Sequence, residues 1–151
     1  MGRSICHLAR APTTTCRSHC LSADSQDIVR FVPTVYLSDA QAAVADKRER
    51  FHDYPVLGSL TITNPKQKSE LLAALYKGVM DSDGSVASCF NPRHGFKATA
   101  GTNWIDLVIC FECSYMEEYG SASGGGATTT KSPTEIFNRA LREAAIPITK
   151  K

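Results

Sequence analysis

The chain divides by the spacing of its apolar positions. Residues 28–37 (IVRFVPTVYL) are β-branched and aromatic, the composition of a strand. Pro33 lacks an N–H, so this strand is expected at a sheet edge or with a bulge. Residues 38–50 (SDAQAAVADKRER) read as a short helix, capped by Ser38 or Asp39 and ending in basic residues. Residues 54–63 predict a second strand, with Leu60 and Ile62 alternating against Thr61 and Thr63. The period then changes. Leu71, Leu72, Leu75 and Val79 recur at helical spacing after Asn64-Pro65, where Asn64 can cap, Pro65 suits the first helical position and Gln67 can close a capping box. Asp81-Ser82-Asp83-Gly84 ends that helix as a turn; it lacks the remaining ligands of a calcium loop.

A hairpin follows. Residues 89–100 and 104–115 flank Ala100-Gly101-Thr102-Asn103, and glycine and asparagine tolerate the positive φ of a tight turn. In the second arm Ile105, Leu107, Ile109, Phe111 and Cys113 share one face by parity, and Trp104, Asp106, Val108, Cys110 and Glu112 share the other. Leu71, Leu75 and Val79 are expected on the odd-numbered face. Residues 120–131 (GSASGGGATTTK) have a linker's composition. Ser132-Pro133-Thr134-Glu135 then reads as a capping box, and Ile136, Phe137, Ala140, Leu141 and Ala144 as the docking face of a last helix that Pro147 stops.

The elements run ββαββα. They predict an α+β fold with a four-stranded, mainly antiparallel sheet and helices packed on one face; a small barrel-like sheet with peripheral helices is the alternative. Residues 1–26 are expected to be a poorly ordered arm and 27–151 a single α+β domain containing the flexible 120–131 linker. At 42% hydrophobic and 21% charged residues, the composition is that of a soluble globular domain. A formal charge of +2, with no basic run interleaved with aromatics, argues against nucleic acid. No apolar run approaches the roughly 18 residues of a membrane span. The first residues lack a signal's apolar core, and Cys6 breaks the myristoylation pattern. The expected location is therefore the cytoplasm, where thiols stay reduced; a secretory leader upstream would reverse this. A protein partner is left open.

The chemistry-bearing residues concentrate in the hairpin. Cys89, His94, Cys110 and Cys113 fall in two facing segments, CFNPRHG and ICFEC. The expected register sets Cys89 roughly opposite Cys113 and His94 roughly opposite Cys110. A regular strand makes Cys110 and Cys113 diverge, so gathering all four requires a bulge near Pro92 and a second irregularity at Phe111-Glu112. Cys6, His7, Cys16, His19 and Cys20 lie in the N-terminal arm and read as incidental, being spaced more loosely than zinc clusters.

CFNPRHG and ICFEC resemble the signature of a family of small uncharacterised bacterial proteins, CFxPRH followed by a hairpin and ICFxC. The resemblance extends to Tyr54-Pro55-Val56-Leu57-Gly58 and spans roughly residues 29–119. It implies that these residues share one site and brings no activity with it.

Three readings compete. Cys89, His94, Cys110 and Cys113 suit tetrahedral zinc or another soft metal by type and number. Cys110 paired with His94, with Asp106 or Glu112 orienting the ring and Arg93 anchoring an anion, suits nucleophilic thiol chemistry; Cys110 with Cys113 suits a redox pair. The third reading is a non-catalytic structural or interaction domain with buried cysteines. No phosphate-binding loop, serine-hydrolase elbow or HExxH motif competes.

Overall fold

The structure is a computed structural model that describes residues 29–32, 49–88, 90–122, 124–146 and 148, with side chains from residue 49 onward. Among the described residues it is an α+β protein. Strands β1 (Val29–Val32), β2 (Arg50–Phe51), β3 (Tyr54–Pro55) and β4 (Leu60–Ile62) precede helix α1 (Pro65–Met80). Strands β5 (His94–Ala100), β6 (Asn103–Cys110), β7 (Tyr115–Gly120) and β8 (Gly125–Thr128) follow, and helix α2 (Thr134–Glu143) closes the order. Six strands form one sheet in the order β4-β1-β5-β6-β7-β8, while β2 and β3 make a separate two-stranded hairpin. Every pairing is antiparallel.

The β5–β6 hairpin is the centre of this sheet, with Ala100 opposite Asn103 and Phe96 opposite Leu107. The two-residue connection turns at Gly101, whose φ of +60° lies where a side chain is disfavoured. Parity sorts the side chains as expected. Leu71 and Leu75 of α1 and Phe137, Ala140 and Leu141 of α2 join Phe96, Ala98, Leu107, Ile109, Phe111 and Met116 in one buried cluster, with Val79 packed at its margin. We call the sheet surface in this cluster the Leu107 face. Across the sheet, Phe51 and Val108 are buried beneath Tyr54, Val56, Phe90 and Tyr119, so the small β2–β3 hairpin covers part of the Val108 face.

Helix α1 starts as its sequence indicates. The Asn64 side-chain carbonyl accepts from the N–H groups of Lys66 at 2.9 Å and Gln67 at 3.2 Å, and Pro65 opens the helix. Such a cap contributes about 1 kcal/mol. Helix α2 departs from expectation. Its first turn has no side-chain cap, because the Ser132 hydroxyl lies 2.8 Å from the Thr130 hydroxyl and Thr134 Oγ1 donates to the Lys131 carbonyl at 2.7 Å. Side chains that could cap the helix serve the preceding turn instead.

Four further expectations are corrected. The sheet has six strands rather than four. Strand β1 is interior, bonded within Val29–Val32 to β4 on one side and β5 on the other; Pro33 lies outside the described residues. The Gly/Ser/Thr tract is not simply a linker. Gly125–Thr128 pairs with β7, Thr129 N–H donates to the Ser114 carbonyl at 3.0 Å, and Thr130 N–H donates to the Gly78 carbonyl at 2.9 Å. Backbone pairing outweighed composition there. The second strand read at 54–63 is two pieces, β3 and β4, in different sheets. Most of the helix expected at 38–50 and the arm at 1–26 lie outside the described residues; Arg50 belongs to β2.

Candidate thiol–disulfide site

Strand β6 ends at Cys110, and the chain turns at once. Residues 111–114 form a tight turn, closed by Ser114 N–H donating to the Phe111 carbonyl at 3.2 Å, with Ser114 at φ +57°. The turn brings the Cα atoms of Cys110 and Cys113 to 5.2 Å, and the two sulfurs are joined as a disulfide. This overturns the expectation that Cys110 and Cys113 diverge along a regular strand. Phe111-Glu112 has no turn-forming residue, and it is Ser114 that takes the left-handed conformation closing the turn. Positive φ at a serine leaves little sequence signal.

Two backbone donors face the sulfurs. Cys113 N–H lies 3.1 Å from Cys110 Sγ, and Asn91 N–H lies 3.3 Å from Cys113 Sγ. Ala87 N–H donates to the Cys113 carbonyl at 2.9 Å, tying the exposed 81–88 segment to the same turn. Both cysteines are nearly covered, at 2% and 3% exposure. Asn91 Oδ1 is buried with no hydrogen-bond donor among the described residues. Buried unpaired acceptors are uncommon in native proteins.

His94 is elsewhere. It pairs with Ile109, not Cys110, and therefore points from the Leu107 face. Its ring lies 5.2 Å from that of Phe111 and 5.9 Å from that of Phe137. Its Nε2 lies 2.9 Å from Asn138 Oδ1; a carbonyl only accepts, so Nε2–H donates. Burial pushes its pKa down from 6.5 to about 4, Asn138 opposes that shift, and the nearby Arg93 charge adds to it. The imidazole is thus neutral and set among apolar rings. Arg93 N–H donates to the Ile109 carbonyl at 3.2 Å, and its side chain is half-buried. Pro92 is fully buried just before β5 begins, so the ladder needs no bulge there.

The structure therefore brings Cys110 and Cys113 together and turns His94 to the other face. Cys89 lies outside the described residues. Among those residues, no three His, Cys, Asp or Glu side chains gather as metal ligands. Asp106 is not placed with His94 either. It is buried at 5% exposure on the Val108 face, with His52 Nε2 3.2 Å from its Oδ2. His52, in the β2–β3 turn, gave no periodic or motif signal; only its three-dimensional position reveals the pair. A concavity of about 530 Å³ between the helices, lined by Gln67, Glu70, Ile136 and Arg139 among others, includes none of these residues.

No protein-family model, curated protein or solved structure matches this chain. Among the described residues, no helix is long and apolar enough to cross a membrane.

Proposed function

We propose that Cys110 and Cys113 form a reversible dithiol–disulfide pair and that thiol–disulfide exchange is the function of this site. The observation that carries the reading is the Cys113 N–H held 3.1 Å from Cys110 Sγ. A backbone donor directed at sulfur favours the thiolate, the species that must leave when the disulfide opens. The Asn91 N–H serves Cys113 in the same way. Both helices are read as covering the Leu107 face, an arrangement supported by the single cluster their buried residues share with that surface. The disulfide turn then stands at the end of β6, beside the exposed 81–88 segment.

The exchange balances with a small dithiol as reductant. One thiolate attacks a sulfur of the Cys110–Cys113 bond, which breaks and releases the other cysteine as thiolate. The reductant's second sulfur then displaces the first protein sulfur and becomes an internal disulfide. Two protons and two electrons pass to the protein. Because both sulfurs are nearly covered, local opening around the turn must precede attack.

Reduction also frees both thiols for a soft metal, the role first expected of Cys89, His94, Cys110 and Cys113 with zinc. The two readings separate in one experiment. The chain is reduced with dithiothreitol, desalted anaerobically and divided between iodoacetamide trapping and zinc titration. The exchange reading expects Cys110 to alkylate at pH 7 faster than an unperturbed thiol of pKa about 8.5, with no stoichiometric zinc uptake. Alkylation only after denaturation, or one tightly held zinc per chain, would overturn it.

A further inference from the structure

The Val108 face carries a second cluster that the disulfide does not use. The register aligns Lys97, Asp106 and Tyr119 in one row across β5, β6 and β7. His52 reaches over this row from the β2–β3 turn. Its ring stacks on Tyr119, with centroids 3.9 Å apart and planes inclined by 18°. Its Nε2 lies 3.2 Å from Asp106 Oδ2, and Lys97 Nζ lies 3.5 Å from the same oxygen. Lys97 Nζ is also 5.7 Å from the centre of the Trp104 ring, which is 39% exposed.

Three features separate this arrangement from a surface histidine near a carboxylate. First, an ionised carboxylate only accepts, so Nε2 carries the proton and Nδ1 is left as the basic nitrogen. Second, His52 holds φ +53°, a left-handed conformation that is strained for a non-glycine residue and clusters at functional positions. Third, Asp106 Oδ1 is buried and takes no hydrogen bond, although Lys97 Nζ lies 3.4 Å away. The Tyr119 hydroxyl donates to Glu117 at 2.9 Å and stays protonated, its pKa pushed up to about 12 by burial first and by that hydrogen bond second. The stacked ring is therefore a neutral support for the imidazole.

We propose that His52 and Asp106 form an acid–base pair that hydrolyses a small aryl or acyl ester on the Val108 face. Asp106 fixes the ring through Nε2, and Nδ1 takes a proton from water. The hydroxide adds to the ester carbonyl, the ester C–O bond breaks, and the leaving oxygen recovers the proton from Nδ1. The products are one acid and one alcohol. Water is the nucleophile because, among the described residues, no hydroxyl or thiol is hydrogen-bonded to His52. The Lys97 ammonium, which shares Asp106 with His52, offers positive charge to the developing oxyanion, and the exposed Trp104 ring offers a flat surface for an aryl group. Asp106 was expected to orient His94; the contacts give it His52 instead. The proposal stands independently of the disulfide.

The test uses p-nitrophenyl acetate and ¹⁵N-histidine spectra of the full chain. Wild type should cleave the ester at least about tenfold faster than an equal concentration of free imidazole at pH 7, within what a positioned acid–base group provides. H52Q should fall to the background rate. D106N should lose about tenfold in rate and lose the Nε2–H tautomer, with its circular dichroism unchanged. A wild-type rate no better than free imidazole would overturn the proposal. So would an H52Q rate equal to wild type, or a D106N variant that keeps the rate and loses only thermal stability, the result expected if His52 merely compensates a buried charge. Should D106N fail to fold, H52Q still decides, because its substitution lies in a turn outside the main sheet. An Nδ1–H tautomer in wild type would also overturn the proposal.

Discussion

The two faces of the central sheet hold the same residue types in different physical settings. On the Leu107 face, His94 is enclosed by Phe111 and Phe137, and its Nε2 meets the amide of Asn138. On the Val108 face, His52 is carried by the β2–β3 turn and meets the Asp106 carboxylate, which the Lys97 ammonium also approaches. Burial removes the first imidazole from proton chemistry, and a fixed carboxylate prepares the second for it. A histidine near cysteines in the sequence is therefore a weaker guide than a histidine whose partner is a carboxylate on the same face.

The largest effect that would break this contrast lies on the Leu107 face. Phe137 is fully buried and meets the rings of His94, Phe96 and Phe111. Phe137→Ala should cost about 3–5 kcal/mol in chemical denaturation, the range for a large aromatic removed from a core. A loss under about 1 kcal/mol would show that α2 does not dock as described.

The next effect is a pH dependence. His94 has a folded pKa of about 4 against an ordinary 6.5, so the unfolded chain binds the proton more readily. Stability from this group is complete above pH 6.5, falls as pH drops from 6.5 toward about 4, and levels off below that. The loss should approach roughly 3 kcal/mol, at 1.36 kcal/mol per unit. His94→Leu should flatten that part of the stability curve. An unchanged slope in His94→Leu would place the titrating group elsewhere.

A smaller effect sharpens the boundary of the sheet. A Cβ at Gly126 would overlap the Tyr115 hydroxyl and lie 2.5 Å from its Cζ, so the phenol ring must move. Gly126→Ala should cost about 1–3 kcal/mol, as overpacking does. A neutral result would return this tract to the linker that its composition suggests.

These elements show what the sequence made legible. Helix α1 was readable because Asn64-Pro65 and the Leu71–Leu75 stripe agree on one answer, and the β5–β6 turn was readable because Gly101 and Asn103 mark it. The face assignment of Leu107 and Ile109 followed from period alone. Strand β8 was hidden because GGAT has little strand propensity and pairs through its backbone, with Ala127 as its buried side chain. The candidate site was half legible. Cys110, Cys113 and Asp106 could be named from the sequence as chemistry-bearing residues, but the disulfide required a turn at Ser114, and the His94 register was one residue from the expected partner. His52 was missed because nothing in its neighbours signals that a short hairpin will carry it to Asp106.

The most direct measurement is an equilibrium redox titration of the native chain with dithiothreitol, read by thiol trapping and mass spectrometry alongside circular dichroism. Cys110 and Cys113 should be reduced together in one two-electron step that reverses on oxidation. The fold should survive with a loss of about 2 kcal/mol, since a disulfide closing so short a loop contributes little chain entropy. A bond that reduces only when the protein unfolds, or a disulfide linking either cysteine to a different partner, would contradict it.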